Sequence, residues 1–217
     1  MIERTIAAGT HGRYLVEPPA SNGPAPILVG FHGYAEAAEA QLDRLRAIPG
    51  SDLWRLVSIQ GLHRFYQRRR DEVIANWMTR QDRELAIADN RAYVAAVLDA
   101  LEREWPGAPR VVLSGFSQGV AMTFRAAASL PRMVDGVIAV CGDVPPELDT
   151  ASLARIPAAL VCHGSRDEWY TQAKFDHDIG RLRAAGADVT PVGFDGGHEW
   201  SGEVLRAAAV FLRGRQP

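Results

Sequence analysis

Apolar positions along the chain fall into short continuous runs separated by longer stretches with helical spacing, and this alternation repeats from residue 27 onwards. Residues 27–31, 54–59, 110–115, 134–141, 158–162 and 188–194 form the runs, as expected of strands buried on both faces. Between them, 35–48, 82–104, 117–129, 171–185 and 199–212 have alanine-rich or helically spaced patterns, several stopped by Pro-Gly or Gly, and these predict helices. Strands joined through helices require crossover connections. The expected class is therefore α/β, a three-layer α/β/α sandwich around a mostly parallel sheet.

Two segments depart from the alternation. Residues 2–8 and 13–17 flank a turn from Gly9 to Gly12 and predict an N-terminal antiparallel hairpin, followed by a Pro-, Ser- and Gly-rich loop at 18–26. Residues 61–81 carry His63, Phe65, Tyr66, Trp77 and Met78 among charged side chains. That length and composition predict a functional loop with a short helix, serving as a lid or a pocket wall. No repeat or linker is visible, so 1–217 is expected to form a single domain.

The composition is that of an ordinary globular protein, with 47% hydrophobic and 23% charged residues among 217. A formal charge of −2 leaves no footprint for polyanions, which argues against a nucleic-acid partner. The basic run Arg68, Arg69, Arg70 is followed at once by Asp71 and Glu72 and reads as a solvated turn. The two cysteines, Cys141 and Cys162, sit in apolar runs without zinc or redox spacing and are expected to be reduced and buried. No apolar run reaches the length of a signal core or a membrane span, so the expectation is a cytoplasmic protein without stable membrane association.

Chemistry enters at Gly115, Phe116, Ser117, Gln118, Gly119, a G-x-S-x-G string between a predicted strand and a predicted helix. Glycines on either side permit a sharp turn that lifts the serine hydroxyl above the sheet. A serine hydroxyl needs a general base, and among six histidines His198 is best placed, on a loop after the last strand. The base needs a carboxylate to fix its tautomer. Asp167, in a turn after the 158–162 strand, fits best, with Asp143, Glu168 and Asp195 as rivals. Backbone amides to meet an oxyanion are expected at Gln118, opening a helix, and at Tyr34, after the 27–31 strand. His32 reads as a structural residue of that second turn.

Together these elements resemble the α/β hydrolases, and more narrowly the phospholipase/carboxylesterase family that includes the acyl-protein thioesterases. The resemblance runs from Phe31, His32, Gly33 through the Ser117 string and His163, Gly164, Ser165, Arg166, Asp167 to Gly197, His198. It implies a serine nucleophile at Ser117, a base at His198, an orienting carboxylate at Asp167, and an oxyanion hole at Tyr34 and Gln118. The family's thioesterases usually have a glycine-rich stretch ending in Asp after His-Gly, whereas Tyr34, Ala35, Glu36 and Ala37 stand here. That departure points to a small-molecule ester of short or medium acyl chain, aryl esters included. A thioesterase or lysophospholipase of the same family is the alternative, and a non-catalytic ligand-binding protein is the alternative from another class. Phosphate-loop, dinucleotide and H-E-x-x-H patterns are missing from the sequence, so neither cofactor nor metal is expected.

Overall fold

The computed structural model describes residues 1–20, 23–67 and 71–215. Its main sheet has seven strands: β1 (Arg13–Glu17), β2 (Ile27–Phe31), β3 (Arg55–Gln60), β6 (Val111–Phe116), β7 (Gly136–Val140), β8 (Ala158–Gly164) and β9 (Asp188–Phe194). They lie in the order β1-β3-β2-β6-β7-β8-β9, all parallel except β1. β4 (His63–Gln67) and β5 (Glu72–Asn76) form a separate antiparallel ribbon.

Successive side chains of a strand point to opposite faces, and continuous apolar runs are what a sheet covered on both sides requires. In β2, Ile27, Val29 and Phe31 enter one core with residues of α2 (Arg83–Glu104), α3 (Gln118–Ser129) and α5 (Gln172–Ala184). Leu28 enters the other, with Leu42 and Leu45 of α1 (Ala38–Arg46) and Val204, Phe211 and Leu212 of α6 (Gly202–Arg213). The three layers follow from that division. Among the described residues, no helix is long and apolar enough to cross a membrane.

Three expectations need correction. β1 is antiparallel, but its partner is β3, with Arg13 opposite Gln60 and Glu17 opposite Leu56, and residues 2–8 form no strand. The β1–β3 pairing covers an open sheet edge and seats Val16 and Leu15 against the two cores, whereas a hairpin built on the exposed Ile2 and Ile6 would stand alone and be marginal. The 61–81 segment forms the β4–β5 ribbon in place of a short helix. The ribbon pairs two consecutive strands and docks on the loop after β2, where Ala75 exchanges backbone hydrogen bonds with Ala35 and Glu36 at 3.0 and 2.9 Å. Cys141 lies just past β7 with φ 54°, outside the strand expected to hold it. The Arg68 to Arg70 run lies outside the described residues. A short helix, α4 (Thr150–Leu153), was not anticipated; Asp149 caps it by accepting from the Ser152 amide at 2.8 Å.

The strand order sets where a site can form. From β2 the chain steps outward to β3, then crosses back to β6 on the other side of β2. Crevices open beyond the carboxyl ends of strands where the order reverses in this way. The loop after β2 and the turn after β6 meet there.

Candidate active site

β6 ends at Phe116 and α3 starts at Gln118, leaving Ser117 alone to make the turn, with φ 52° and ψ −121°. That backbone is strained for a residue with a side chain, and strain of this kind concentrates at functional sites. Close approach demands the two glycines. A Cβ on Gly119 would lie 2.1 Å from the Phe31 carbonyl oxygen, and one on Gly115 would lie 2.6 Å from that of Gly119.

His198 reaches the same point from the loop after β9. Ser117 Oγ lies 2.8 Å from His198 Nε2, and His198 Nδ1 lies 2.8 Å from Asp167 Oδ2. The other carboxylate oxygen of Asp167 accepts the Trp169 and Tyr170 amides at 2.8 and 3.0 Å. Burial alone would raise the pKa of Asp167. The Tyr170 amide, the imidazole and the Trp169 amide outweigh it and hold the carboxyl below its ordinary value. An ionised Asp167 can only accept, so Nδ1 carries the ring proton and Nε2 is free to accept from Ser117. The Asp167 side chain is 0% exposed and that of His198 27%, so the chain of hydrogen bonds runs from a buried carboxylate to an open imidazole.

The other side of Ser117 is the loop after β2. Gly33 donates its amide to Glu36 Oε2 at 2.7 Å, and both Glu36 oxygens accept from Arg44 at 2.5 and 2.7 Å. Burial pushes the Glu36 pKa up, but Arg44 and the Gly33 amide together bring it below the ordinary value. The Arg44 guanidinium lies 4.3 Å over the Phe116 ring, whose centroid is 5.1 Å from the His198 ring. His32 is fully buried, with Nδ1 2.7 Å from the Gly33 carbonyl and Nε2 accepting from the Gly61 amide at 3.0 Å. Burial depresses its pKa, in keeping with a neutral ring that makes both bonds. Gln118 ties the Ser117 turn to the chain just past β5, accepting from the Trp77 amide at 2.8 Å and donating to the Met78 carbonyl at 3.0 Å.

These groups surround a cleft of about 590 Å³ walled by Tyr34, Met78, Phe116, Ala121, Trp169 and Tyr170. Of the other carboxylates considered for the orienting role, Asp143 pairs with Lys174 at 3.2 Å at the cleft, Asp195 pairs with Arg166, and Glu168 is exposed. The structure therefore brings Ser117, His198 and Asp167 together and leaves the three rivals apart. Glu36, Arg44 and Cys141 were not foreseen as neighbours of the site. No spacing in the sequence announces them: Glu36 turns back within its own loop onto the Gly33 amide, and Arg44 and Cys141 arrive from α1 and from the end of β7.

A serine at a strained strand-to-helix turn above a parallel sheet, with a histidine on the loop after the last strand, defines an α/β hydrolase. A profile of the phospholipase/carboxylesterase family matches residues 21–215, and the chain belongs to that family of serine hydrolases. Similar solved structures include esterase PE8, with 24% identity, TM-score 0.73, and 94% of this chain and 99% of that one covered. Acyl-protein thioesterase 2 of Zea mays superposes with TM-score 0.73 at 17% identity, over 94% of this chain and 99% of its own. A Bacillus cereus carboxylesterase gives 0.75 at 14% identity, over 94% and 95%.

Proposed function

We propose that the protein is a serine esterase hydrolysing carboxylic esters of short or medium acyl chain, aryl esters among them, through an acyl-enzyme. The single observation that carries this reading is the unbroken run of 2.8 Å contacts from Asp167 through His198 to a strained Ser117. Ser117 attacks the ester carbonyl while His198 Nε2 takes its proton. The backbone amides of Tyr34 and Gln118, both at the cleft wall, receive the oxyanion. His198 then protonates the departing alcohol, and a water activated the same way releases the acid. Asp167 stays ionised throughout and stabilises the imidazolium.

The cleft supports the substrate class. Its volume is in the range of small-molecule sites, and its walls are aromatic and apolar, with Trp169 75% and Tyr34 59% exposed at the rim. The end of the 61–81 segment, which lines the cleft through Met78, serves as a fixed wall of one hydrolase domain rather than a lid. Trp77 is buried and donates to the His32 carbonyl at 2.8 Å, and Asn90 donates to the Trp77 carbonyl at 2.8 Å.

Intact mass and peptide mapping after treatment with a fluorophosphonate tests the reading. The expected result is one adduct at Ser117, lost in Ser117→Ala together with about 10⁶-fold of ester turnover. Unchanged hydrolysis in Ser117→Ala overturns it. An ester and thioester panel at equal concentration separates the esterase from the thioesterase alternative.

A further inference from the structure

The proposed mechanism uses two of three metal-ligating side chains that meet at the base of the cleft. Cys141, Asp167 and His198 each offer one ligand atom, and these atoms all lie within 4.8 Å of one another. We propose that they form an inhibitory site for a thiophilic divalent cation such as zinc or cadmium, which on binding disables His198 as a base. The proposal rests on the His198 assignment above.

The fold places the third ligand. Cys141 turns out of β7 at φ 54°, with its amide held by the Cys162 carbonyl at 3.0 Å. The thiol lies 3.6 Å from the carbonyl of Glu199, the residue after His198, and it borders the cleft. A thiolate, an imidazole and a carboxylate make a mixed soft, borderline and hard donor set of the kind that zinc takes, with a fourth position left for water. Tetrahedral zinc with such ligands has edges of about 3.3–3.6 Å. The widest edge therefore closes by about 1.2 Å at most, and less for the larger cadmium ion, while the 2.8 Å edge between His198 Nδ1 and Asp167 Oδ2 opens by about 0.5 Å. His198 can supply that movement, since it follows Gly196 and Gly197 and is partly exposed.

Binding balances simply. The Cys141 thiol proton leaves to solvent. The ion takes the thiolate sulfur, an Asp167 oxygen and His198 Nδ1, and the ring proton moves from Nδ1 to Nε2. Nε2 then donates towards Ser117 and cannot accept its proton, so hydrolysis stops while the fold is retained. Cys162 is the internal comparison, because it is fully buried within β8 and takes no part in the cluster.

Cadmium chloride titrated into the intact protein provides two readouts, the thiolate-to-cadmium charge-transfer band in the ultraviolet and the rate of ester hydrolysis. The expected result is a band of one thiolate per chain, loss of hydrolysis in parallel, and recovery of both with EDTA. Cys141→Ser should lose the band and need at least about 100-fold more cadmium for inhibition, whereas Cys162→Ser should behave as the parent. Absence of the band overturns the proposal, as does equal inhibition of Cys141→Ser or equal dependence on Cys162. A band lost in Cys141→Ser and in His198→Ala supports the site even in a protein without hydrolysis, an outcome that would refute only the catalytic reading.

Discussion

The two loops that face each other across Ser117 are held by different kinds of interaction. The Asp167 loop is fixed by main chain: the Ser165, Arg166 and Asp167 amides donate to the Phe194, Gly196 and Gly164 carbonyls at 2.8 to 2.9 Å, and the carboxylate adds two more amides. The Tyr34 loop is fixed by side chains and by a remote strand. Glu36, itself held by Arg44, accepts the Gly33 amide, the His32 ring meets the Gly33 carbonyl, and β5 holds Ala35, which sits at φ 58°. The Asp167 side is thus held by main chain, to the end of β9 as well as within its own turn, while the Tyr34 side depends on side chains of its own loop and of α1 and on the ribbon.

That difference explains what the residues alone made legible. Alternation of apolar runs and helical stretches predicted the parallel strands and all the long helices, because burial on both faces leaves a pattern in each strand by itself. Ser117, His198 and Asp167 could be singled out because each follows a recognisable strand. The partner of β1, the β4–β5 ribbon and the Glu36–Arg44 grip have no such local mark. The pairing of β1 with β3 and the docking of Ala75 on Ala35 join segments far apart in the chain, the other two rest on which neighbouring side chains and strands meet, and the periodicity of a single element carries no information about partners.

The largest expected effect breaks the side held by main chain. In Asp167→Asn the two amides of Trp169 and Tyr170 keep the carbonyl oxygen, so the new NH₂ faces His198 Nδ1. A donor there forces the ring proton onto Nε2, the wrong tautomer for accepting from Ser117. The expected outcome is a fall in kcat of about 10⁴-fold with little change in thermal melting. Steady-state kinetics on an aryl ester, beside a melting curve, checks it. A loss of only a few-fold would mean that Asp167 does not set the tautomer.

A smaller effect is expected on the opposite side. Glu36→Gln keeps an acceptor for the Gly33 amide but leaves the partly buried Arg44 without its counter-charge, at a cost of about 1–3 kcal/mol in stability. Because a lost oxyanion donor costs about 10²–10³ in rate, a donor that is only less firmly aimed should cost about 10-fold in kcat, with KM nearly unchanged. Should KM rise and kcat hold, the grip would be serving substrate binding instead of the transition state.

The smallest effect is a difference in how the two sides respond to acid. Glu36 has a folded pKa below its unfolded one, so its contribution to stability is fully present above the ordinary glutamate value. That contribution is lost as pH falls through the depressed folded value, where the carboxyl protonates and releases Arg44. Glu36→Gln has no such contribution to lose. Melting temperatures of the parent and the variant should therefore differ by a constant amount near neutrality, and the gap should narrow on acidification below the glutamate range. Asp167 titrates in both proteins and cancels in the difference. A gap that stayed constant into acid would show that the Gly33 amide is held by geometry alone and that the Glu36–Arg44 charge pair contributes nothing to the oxyanion side.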